Sequence, residues 1–366
     1  MTIKNTIQVA SLLFASLLCL TATAAETSGS SANRELSRPD GKAPAVKKKV
    51  KVFILMGQSN MVGMGDILPE EKLGTLTHLT KTDKKYPFLV DDAGNWTVRK
   101  DVYYYDARVK KGGYLSATSN NGKAIGPELG FGFVMGQIFD EPVLVLKSCI
   151  GNRSLGWDLL PPGSERFEAE VTERNGQKIT KVFAGYKDTP DSWVEGQPKK
   201  TNNWYAGKQY DDDMANAKAA LANLAKIYPD YQGQGYEISG FVWWQGHKDQ
   251  NAVHAGRYEQ NLARLITSLR KDYAAPQAKF VLATGCGNPG RTSFGLQIAE
   301  GQLAVGDAKK HPGFAGNVKA VDSRDLWREA NVSPKEQGYH YNRNAETYLE
   351  TGLHLGWAMA DLLKGK

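Results

Sequence analysis

The sequence predicts an α/β protein built on a mainly parallel β-sheet. Five short apolar runs support this, because strands covered on both faces lack the polar alternation of strands with one wet face. Segments with helical patterns separate these runs along the chain, as expected for a layered βα arrangement. The five predicted strands are residues 52–56, 143–146, 238–244, 280–284 and 318–321.

The N-terminal residues 1–25 are predicted to be a secretory signal peptide. Lys4 is the only charged residue, residues 9–20 are largely apolar, and small residues at 22–25 suit cleavage. The apolar part is too short to cross a bilayer, and Leu18 before Cys19 argues against a lipoprotein anchor. We therefore expect a secreted or periplasmic protein without a membrane span.

The rest of the chain is predicted to be a linker followed by one domain. Residues 26–46 are rich in Ser, Gly, Pro and charge, which is typical of disorder. The domain, residues 47–366, carries loop and hairpin insertions. The longest is 155–210, where alternating segments flank Arg174-Asn175-Gly176-Gln177, a hairpin signal. Its exposed aromatic residues either stack on sugar rings or anchor a long loop.

Composition excludes several partner classes from the prediction. The formal net charge is +7, yet no basic helix with interleaved aromatics and no nucleic-acid motif is present. After the signal peptide two cysteines remain, Cys149 and Cys286, which we expect to be free and buried. No histidine pair has metal-ligand spacing, so neither a metal nor another cofactor is predicted.

Ser59 is the first candidate for chemistry. It follows the first predicted strand in a turn that reads Gly57-Gln58-Ser59-Asn60. Open α/β sheets keep their functional groups at this carboxyl edge, and a following helix start favours developing negative charge there. An ordinary strand-to-helix turn with Ser as the N-cap explains the same letters equally well.

The letters around Ser59, GQSNM, resemble the first block of the SGNH hydrolases, in the branch of acetylxylan esterases and sialate O-acetylesterase-like proteins. Further blocks with this resemblance are residues 142–164, 243–249 and 337–342. The resemblance implies a three-layer α/β/α, flavodoxin-like fold with a five-stranded parallel sheet. It also implies a serine esterase.

The resemblance implies specific roles. Ser59 would be the nucleophile and His340 its base, while the N–H groups of Ser59 and Gly151 and the amide of Gln245 would hold the oxyanion. The chain departs from the family at three positions in the second and third of these blocks. Asn152 stands where a second glycine is frequent, and His247 and Lys248 stand where Glu and Asn occur in relatives.

The acid that would orient His340 is the least defined residue. Related enzymes place Asp three residues before the histidine, where this chain has Gln337. Asp249 is the favoured replacement because it lies in a recognised block. Asp322, Asp325 and Glu336 are the alternatives.

The predicted function is removal of O-acetyl groups from a carbohydrate, either an acetylated polysaccharide or a sialic-acid-type sugar. Two alternatives stay open at this point. One is a non-catalytic carbohydrate-binding relative, which the missing Asp before His340 favours. The other is a serine hydrolase for short-chain esters that are not sugars.

Overall fold

A central sheet organises the computed structural model, which describes residues 34–285 and 287–365. The predicted signal peptide, residues 26–33 of the predicted linker and Cys286 lie outside the described residues. The strands are β1 (Val50–Gly57), β2 (Gly65–Asp66), β3 (Arg99–Asp106), β4 (Lys111–Leu115), β5 (Ala124–Ile125), β6 (Val143–Lys147), β7 (Phe167–Thr172), β8 (Lys178–Phe183), β9 (Ser192–Trp193), β10 (Tyr236–Trp244), β11 (Lys279–Ala283) and β12 (Val318–Val321).

Helices cover this sheet on both faces. They are α1 (Ser59–Val62), α2 (Glu128–Ile138), α3 (Lys208–Ala222), α4 (Leu224–Ile227), α5 (Ala252–Asp272), α6 (Ser293–Val305) and α7 (Ala345–Leu363). The sheet and the helices on both of its faces make this a mixed α/β fold. Within the described residues, none of the helices is long and apolar enough to cross a membrane.

The central sheet has the strand order β12-β11-β10-β1-β6-β3-β4. Its neighbours are parallel except for β3 and β4. The five predicted strands are contiguous and, numbered along the chain, lie in the order 2-1-3-4-5. The prediction of a five-stranded sheet was wrong, because β3 and β4 extend the sheet to seven strands in the described part of the chain.

β3 joins the sheet because its side chains are buried on both faces. Val102 and Tyr104 pack into one core cluster, whereas Tyr103 and Tyr105 pack into the other. A strand of this kind needs a neighbour in the sheet, and β6 supplies it through parallel pairing. β4 then closes the edge as an antiparallel hairpin partner.

The hydrophobic core has two halves, one on each face of the sheet. Phe53 and Leu55 of β1 pack with α2 and α7. Val52 and Ile54 point the other way and pack with α3, α5 and α6. Alternate residues of one apolar run therefore serve two helical layers, which is why that run shows no polar alternation.

Helices α2 and α7 touch backbone to backbone. A Cβ atom added at Gly352 would lie 2.3 Å from the carbonyl oxygen of Pro127, and one at Gly130 would lie 2.4 Å from that of Leu349. Glycine at both positions permits this approach. Because α7 begins just after His340, the contact links the sheet's helical layer to the candidate base.

Several predicted elements are confirmed and others change. The hairpin predicted around residues 174–177 forms as β7 and β8. The acidic start and apolar stripe of residues 211–228 predict one helix, which is split at Asn223 into α3 and α4. Helical patterns over 258–273 and 345–363 predict two further helices; α7 forms as predicted, and α5 begins earlier, at Ala252. Two apolar segments around the turn residues 91–95 predict a hairpin, which is reduced to one bridge, Val90 to Trp96, whereas α6 was not predicted.

Buried side chains decide two smaller questions. Cys149 is free and buried, as predicted. In the long insertion, Trp193 and Tyr210 are 6% and 1% exposed, so these two aromatics anchor the loop rather than offer a surface for sugars.

Candidate active site

The nucleophile turn begins where β1 ends. Gly57 has φ of 152°, and a Cβ there would lie 2.2 Å from the carbonyl oxygen of Trp244, so only glycine fits. The turn delivers Ser59 to the first position of α1. β1 lies between β6 and β10, where successive crossovers leave in opposite directions. Open α/β sheets place their sites at such a switch point.

His340 meets Ser59 at this edge. Its Nε2 lies 2.7 Å from Ser59 Oγ, within the range in which a base can take a hydroxyl proton. Ser59 is buried apart from 5% of its surface. The structure therefore brings together two sequence-predicted residues from opposite ends of the domain.

His340 is held in its neutral form. Burial, together with the smaller effects of the neighbouring His247 and Arg343, lowers its pKa from 6.5 to about 4. A neutral imidazole whose Nδ1 carries the hydrogen can accept the Ser59 proton at Nε2.

The backbone around His340 is strained. Four consecutive residues, His340, Tyr341, Asn342 and Arg343, have φ values of 47°, 49°, 52° and 62°, in the left-handed region that non-glycine residues rarely occupy. The Asn342 side chain holds this turn. It accepts the N–H groups of Gly338 (3.0 Å) and Gln337 (3.2 Å) and donates to the carbonyl of Arg328 (3.1 Å).

A tyrosine of α7 ties the base to the nucleophile turn. The hydroxyl of Tyr348 lies 3.0 Å from Asn60 Oδ1 and 3.2 Å from the carbonyl oxygen of His340. Burial raises the Tyr348 pKa well above 10.0, which keeps the hydroxyl protonated as a donor. The positions of Ser59 and His340 are thus set partly by one side chain.

Asp249 does not orient His340 in this structure. Its buried carboxylate accepts the backbone N–H groups of Leu155 and Gly156, each at 2.8 Å, and approaches His254 Nδ1 at 3.3 Å. These donors draw the side chain beneath the loop after β6. The expectation that Asp249 would serve His340 has no contact to support it.

The other candidate acids also have different partners. Asp322 pairs with Arg324 and accepts from Thr284, and Asp325 pairs with Arg291. Glu336 is exposed. Across residues 34–285 and 287–365, no carboxylate makes a hydrogen bond or ion pair with the His340 ring. The geometry is that of a Ser59–His340 dyad.

The loop after β6 lies against Ser59. A Cβ built on Gly151 would lie 3.5 Å from Ser59 Cβ, so the Gly151 backbone approaches the Ser59 side chain. Asn152 follows with φ of 57°. Asparagine tolerates this left-handed conformation better than most residues, which accounts for its standing where relatives have glycine.

Gln245 faces inward rather than toward a substrate. Its Nε2 has three acceptors, namely Asp249 Oδ2 (2.5 Å), the carbonyl of Arg153 (2.8 Å) and Gln58 Oε1 (3.2 Å). An amide nitrogen carries two hydrogens, so these bonds leave none for an oxyanion. The expected donor role of Gln245 therefore has no support in its contacts, and the residue links Asp249 to the loop.

Sequence reasoning missed three members of this buried network. Gln58 Oε1 also faces the N–H of Lys248 at 3.3 Å, while the hydroxyl of Tyr258 donates to Gln245 Oε1 at 2.8 Å. Gln302 donates to the Gln245 carbonyl at 2.6 Å. Gln58 lies inside the recognised block, which is a usable signal. Tyr258 and Gln302 lie on helices with no comparable signal.

A buried ion pair lies under the nucleophile turn. Lys147 Nζ and Glu128 Oε2 are 2.7 Å apart, with both side chains almost fully buried. Lys147 also donates to the carbonyl of Val62 at 3.0 Å, at the end of α1. Glu128 accepts the N–H of Gly126 at 2.8 Å. Glu128 thus supports the turn through Lys147.

A mainly parallel sheet with a serine and a histidine paired at its carboxyl edge is the arrangement of an α/β ester hydrolase. A family model described as "Carbohydrate esterase, sialic acid-specific acetylesterase" matches residues 191–359. The match, which spans slightly less than half of the chain, confirms the predicted resemblance to carbohydrate esterases, a class of carboxylic ester hydrolases. The matched residues include Gln245, Asp249 and His340 and begin after Ser59.

Solved structures similar to this chain share little sequence with it. A protein from Arabidopsis thaliana is 15% identical, with a TM-score of 0.49, over 85% of this chain and 98% of the other. A carbohydrate acetylesterase from Xanthomonas citri is 13% identical, with a TM-score of 0.44, over 86% and 57%. NanS is 11% identical, with a TM-score of 0.44, over 89% and 100%. No curated protein sequence matches the chain.

Proposed function

We propose that the protein removes O-acetyl groups from a carbohydrate through an acetyl-enzyme formed on Ser59. The observation that carries this proposal is the 2.7 Å contact between Ser59 Oγ and His340 Nε2. A hydroxyl is a weak nucleophile at its ordinary pKa, and an adjacent neutral base activates it.

In the acylation step, Ser59 Oγ attacks the acetyl carbonyl carbon while its proton moves to His340 Nε2. The tetrahedral intermediate then expels the sugar oxygen, which takes the proton from His340. The C–O bond to the sugar is broken and an ester to Ser59 is formed. The deacetylated sugar leaves.

In the deacylation step, water takes the place of the sugar. His340 accepts a proton from the water as its oxygen attacks the acetyl carbon. The second intermediate expels Ser59 Oγ, which recovers its proton from His340, and acetate is released. No electrons are transferred, and the chemistry calls only for water as co-reactant.

Backbone N–H groups are the proposed oxyanion donors. Ser59 begins α1, where the first N–H groups of a helix have no acceptor within that helix. Gly151 approaches Ser59 from the neighbouring loop. We assign Asp249 and Gln245 a positioning role, because their bonds to Leu155, Gly156 and Arg153 hold that loop in place.

Export is part of the proposal. It rests on the apolar segment and small residues within positions 1–25. Detection of a mature protein that begins near residue 26, outside the cytoplasm of the producing cell, is the expected result. Retention of the full N-terminal segment in the cytoplasm would contradict it.

The catalytic proposal is tested with Ser59→Ala. We expect acetate release from acetylated xylan, acetylated sialic acids or other acetylated glycans to fall by about 10⁴-fold or more, because the nucleophile is lost. Rapid quenching of the wild-type reaction should show one acetyl group on the peptide that contains Ser59.

Ser116→Ala is the matched control, because Ser116 bonds only within its own loop. It should retain activity. A folded Ser59→Ala variant that still turns over would rule out Ser59 as the nucleophile. A wild-type protein that binds glycans and hydrolyses no acetate ester would instead support the non-catalytic alternative.

A further inference from the structure

A groove of about 950 Å³ is connected to the surroundings of His340 through Gln250, one of the residues that line it. One wall is the β7–β8 hairpin of the long insertion. The other is formed by the first residues of α5, including Ala252, and by Phe294 at the start of α6. None of the residues that line it belongs to the dyad or to the proposed oxyanion donors.

Two chains of contacts join the groove to His340, and both begin at Gln250 in the groove lining. In the first, Gln250 Nε2 lies 3.2 Å from His247 Nδ1, and the His247 ring centroid is 6.1 Å from that of Tyr339, which packs on His340. In the second, Asn288 Nδ2 donates to Gln250 Oε1 at 3.4 Å.

Asn288 belongs to a loop that contacts the base. The preceding residue, Gly287, accepts the N–H of Tyr341 at 3.0 Å. A Cβ at Gly287 would lie 3.2 Å from the backbone nitrogen of His340. The groove therefore adjoins the rim on the side of His340, the residue that protonates the leaving sugar oxygen.

The hairpin wall is firmly anchored at its base. The rings of Phe167 and Phe183 stack with centroids 5.2 Å apart, and the Arg257 guanidinium of α5 lies 3.9 Å from the Phe167 centroid. This packing fixes the hairpin against α5. The groove is thus a formed surface feature.

The lining suits an uncharged, hydroxyl-rich ligand. Two acidic residues, Glu170 and Glu173, balance two basic ones, Arg174 and Lys181, and Lys181 lies 3.4 Å from Glu173. Phe294 keeps 39% of its surface exposed, although leaving an aromatic ring in contact with water is unfavourable in free energy. Polar groups beside an exposed ring match the hydroxyls and apolar faces of pyranose or furanose rings.

The volume of the groove helps to distinguish a monosaccharide substrate from an oligosaccharide or polysaccharide. Pockets of about 300–1,000 Å³ hold drug-sized ligands, and this groove is at the upper end of that range. One acetylated monosaccharide reacting at Ser59 would leave the groove empty. Sugar units linked to it could extend into the groove.

We propose that this groove binds sugar units next to the acetylated one, so that the substrate is an uncharged acetylated oligosaccharide or polysaccharide. This inference rests on the proposed esterase function. The insertion then acts as a specificity element for the leaving side of the ester.

The test compares kcat/KM for chemically acetylated xylo-oligosaccharides of increasing length with kcat/KM for 4-nitrophenyl acetate. For the wild type, the ratio of the two should rise with chain length. Ala252→Trp, which fills the groove, and Phe294→Ala, which removes the exposed ring, should each lower the ratio for long chains by about tenfold.

Ala219→Trp is the matched control, because Ala219 is an exposed helical alanine of α3 outside the groove. It should leave kcat/KM for both substrates unchanged. Calorimetric titration of unacetylated xylo-oligosaccharide into the variants provides a second readout, with binding expected for wild type and lost in Ala252→Trp.

The outcomes are distinguishable. An enzyme active on 4-nitrophenyl acetate and on acetylated xylose whose kcat/KM does not depend on chain length would overturn the groove proposal alone. The same holds if folded Phe294→Ala and Ala252→Trp keep the wild-type ratio. Absence of hydrolysis of every acetate ester by folded wild type would overturn the esterase function together with the groove proposal.

Discussion

His340 combines a short contact to Ser59 with a strongly lowered pKa, and both follow from where it lies. Burial removes water that would stabilise the imidazolium, and the nearby His247 and Arg343 oppose a further positive charge. No carboxylate in the described part of the chain contacts the ring to counter these effects. The base is therefore neutral over a wider pH range than an ordinary histidine.

The pH dependence of kcat/KM should reveal this pKa. Activity requires neutral His340, so it should rise with pH along a limb of apparent pKa about 4 and not 6.5. The measurement is kcat/KM for a small acetate ester between about pH 3 and pH 8, with unfolding monitored at each pH. A limb near 6.5 in the folded enzyme would contradict the described environment of His340.

Asp249→Asn should act through the loop and not through His340. An amide in place of the carboxylate keeps one acceptor oxygen and turns its NH2 group toward the backbone N–H of either Leu155 or Gly156, which then lacks an acceptor. Leaving one such buried group unpaired costs about 1–3 kcal/mol in the free energy of unfolding. We expect lower stability and lower kcat, with the acid limb of the pH profile unmoved.

Asp322→Asn is the control, since Asp322 is exposed and pairs with Arg324 at the surface. Its effect on kcat should be small. The assignment fails if Asp249→Asn leaves stability intact and lowers the apparent pKa of the limb, because that result would mean that Asp249 stabilises charged His340.

The pairing of Ser59 with His340 was predictable because each residue lies in a short sequence block with its own chemical meaning. The partners of Asp249 and Gln245 were not predictable in the same way. Their bonds are to backbone groups of Leu155, Gly156 and Arg153, and a backbone N–H or carbonyl leaves no mark in a sequence.

At the scale of elements, α7 connects the helical layer with the site. The helix starts directly after the left-handed turn that presents His340, with the Asn344 side chain accepting the N–H of Glu346 at 3.0 Å. Its crossing with α2 depends on Gly352 and Gly130. A displacement of α7 would therefore move Tyr348 and His340 relative to Ser59.

Gly352→Ala tests this connection. Alanine favours helix over glycine by about 1 kcal/mol, whereas an overpacked core position costs about 1–3 kcal/mol. The clash should prevail, because its partner, 2.3 Å away, is the Pro127 backbone carbonyl and cannot rotate away. We expect reduced thermal stability together with reduced kcat.

Gly113→Ala is the matched control. It has open space around the added Cβ and no positive φ, so its stability should change by no more than about 0.5 kcal/mol. Unchanged stability and kcat in Gly352→Ala would show that α2 and α7 can separate without consequence for the site.

At the scale of the whole molecule, the sequence predicted the strands that carry the site better than β3 and β4 at one edge of the sheet. β1, β6 and β10 contain uninterrupted apolar runs, residues 52–56, 143–146 and 241–244, because helices cover both faces of the sheet there. β3 is less apparent because its tyrosines also suit a loop. α6 was missed because Ser293–Val305 combines glycines and glutamines with its apolar residues and shows only a weak helical stripe.

Lys147 and Glu128 carry a consequence for how this protein can vary. Either residue replaced alone leaves its partner charged and buried, a change that costs about 3–5 kcal/mol, whereas an apolar pair of similar volume is tolerated far better. During evolution, replacing only one of the two residues would therefore give a less stable protein. The two positions should be inherited together, as both charges or as neither.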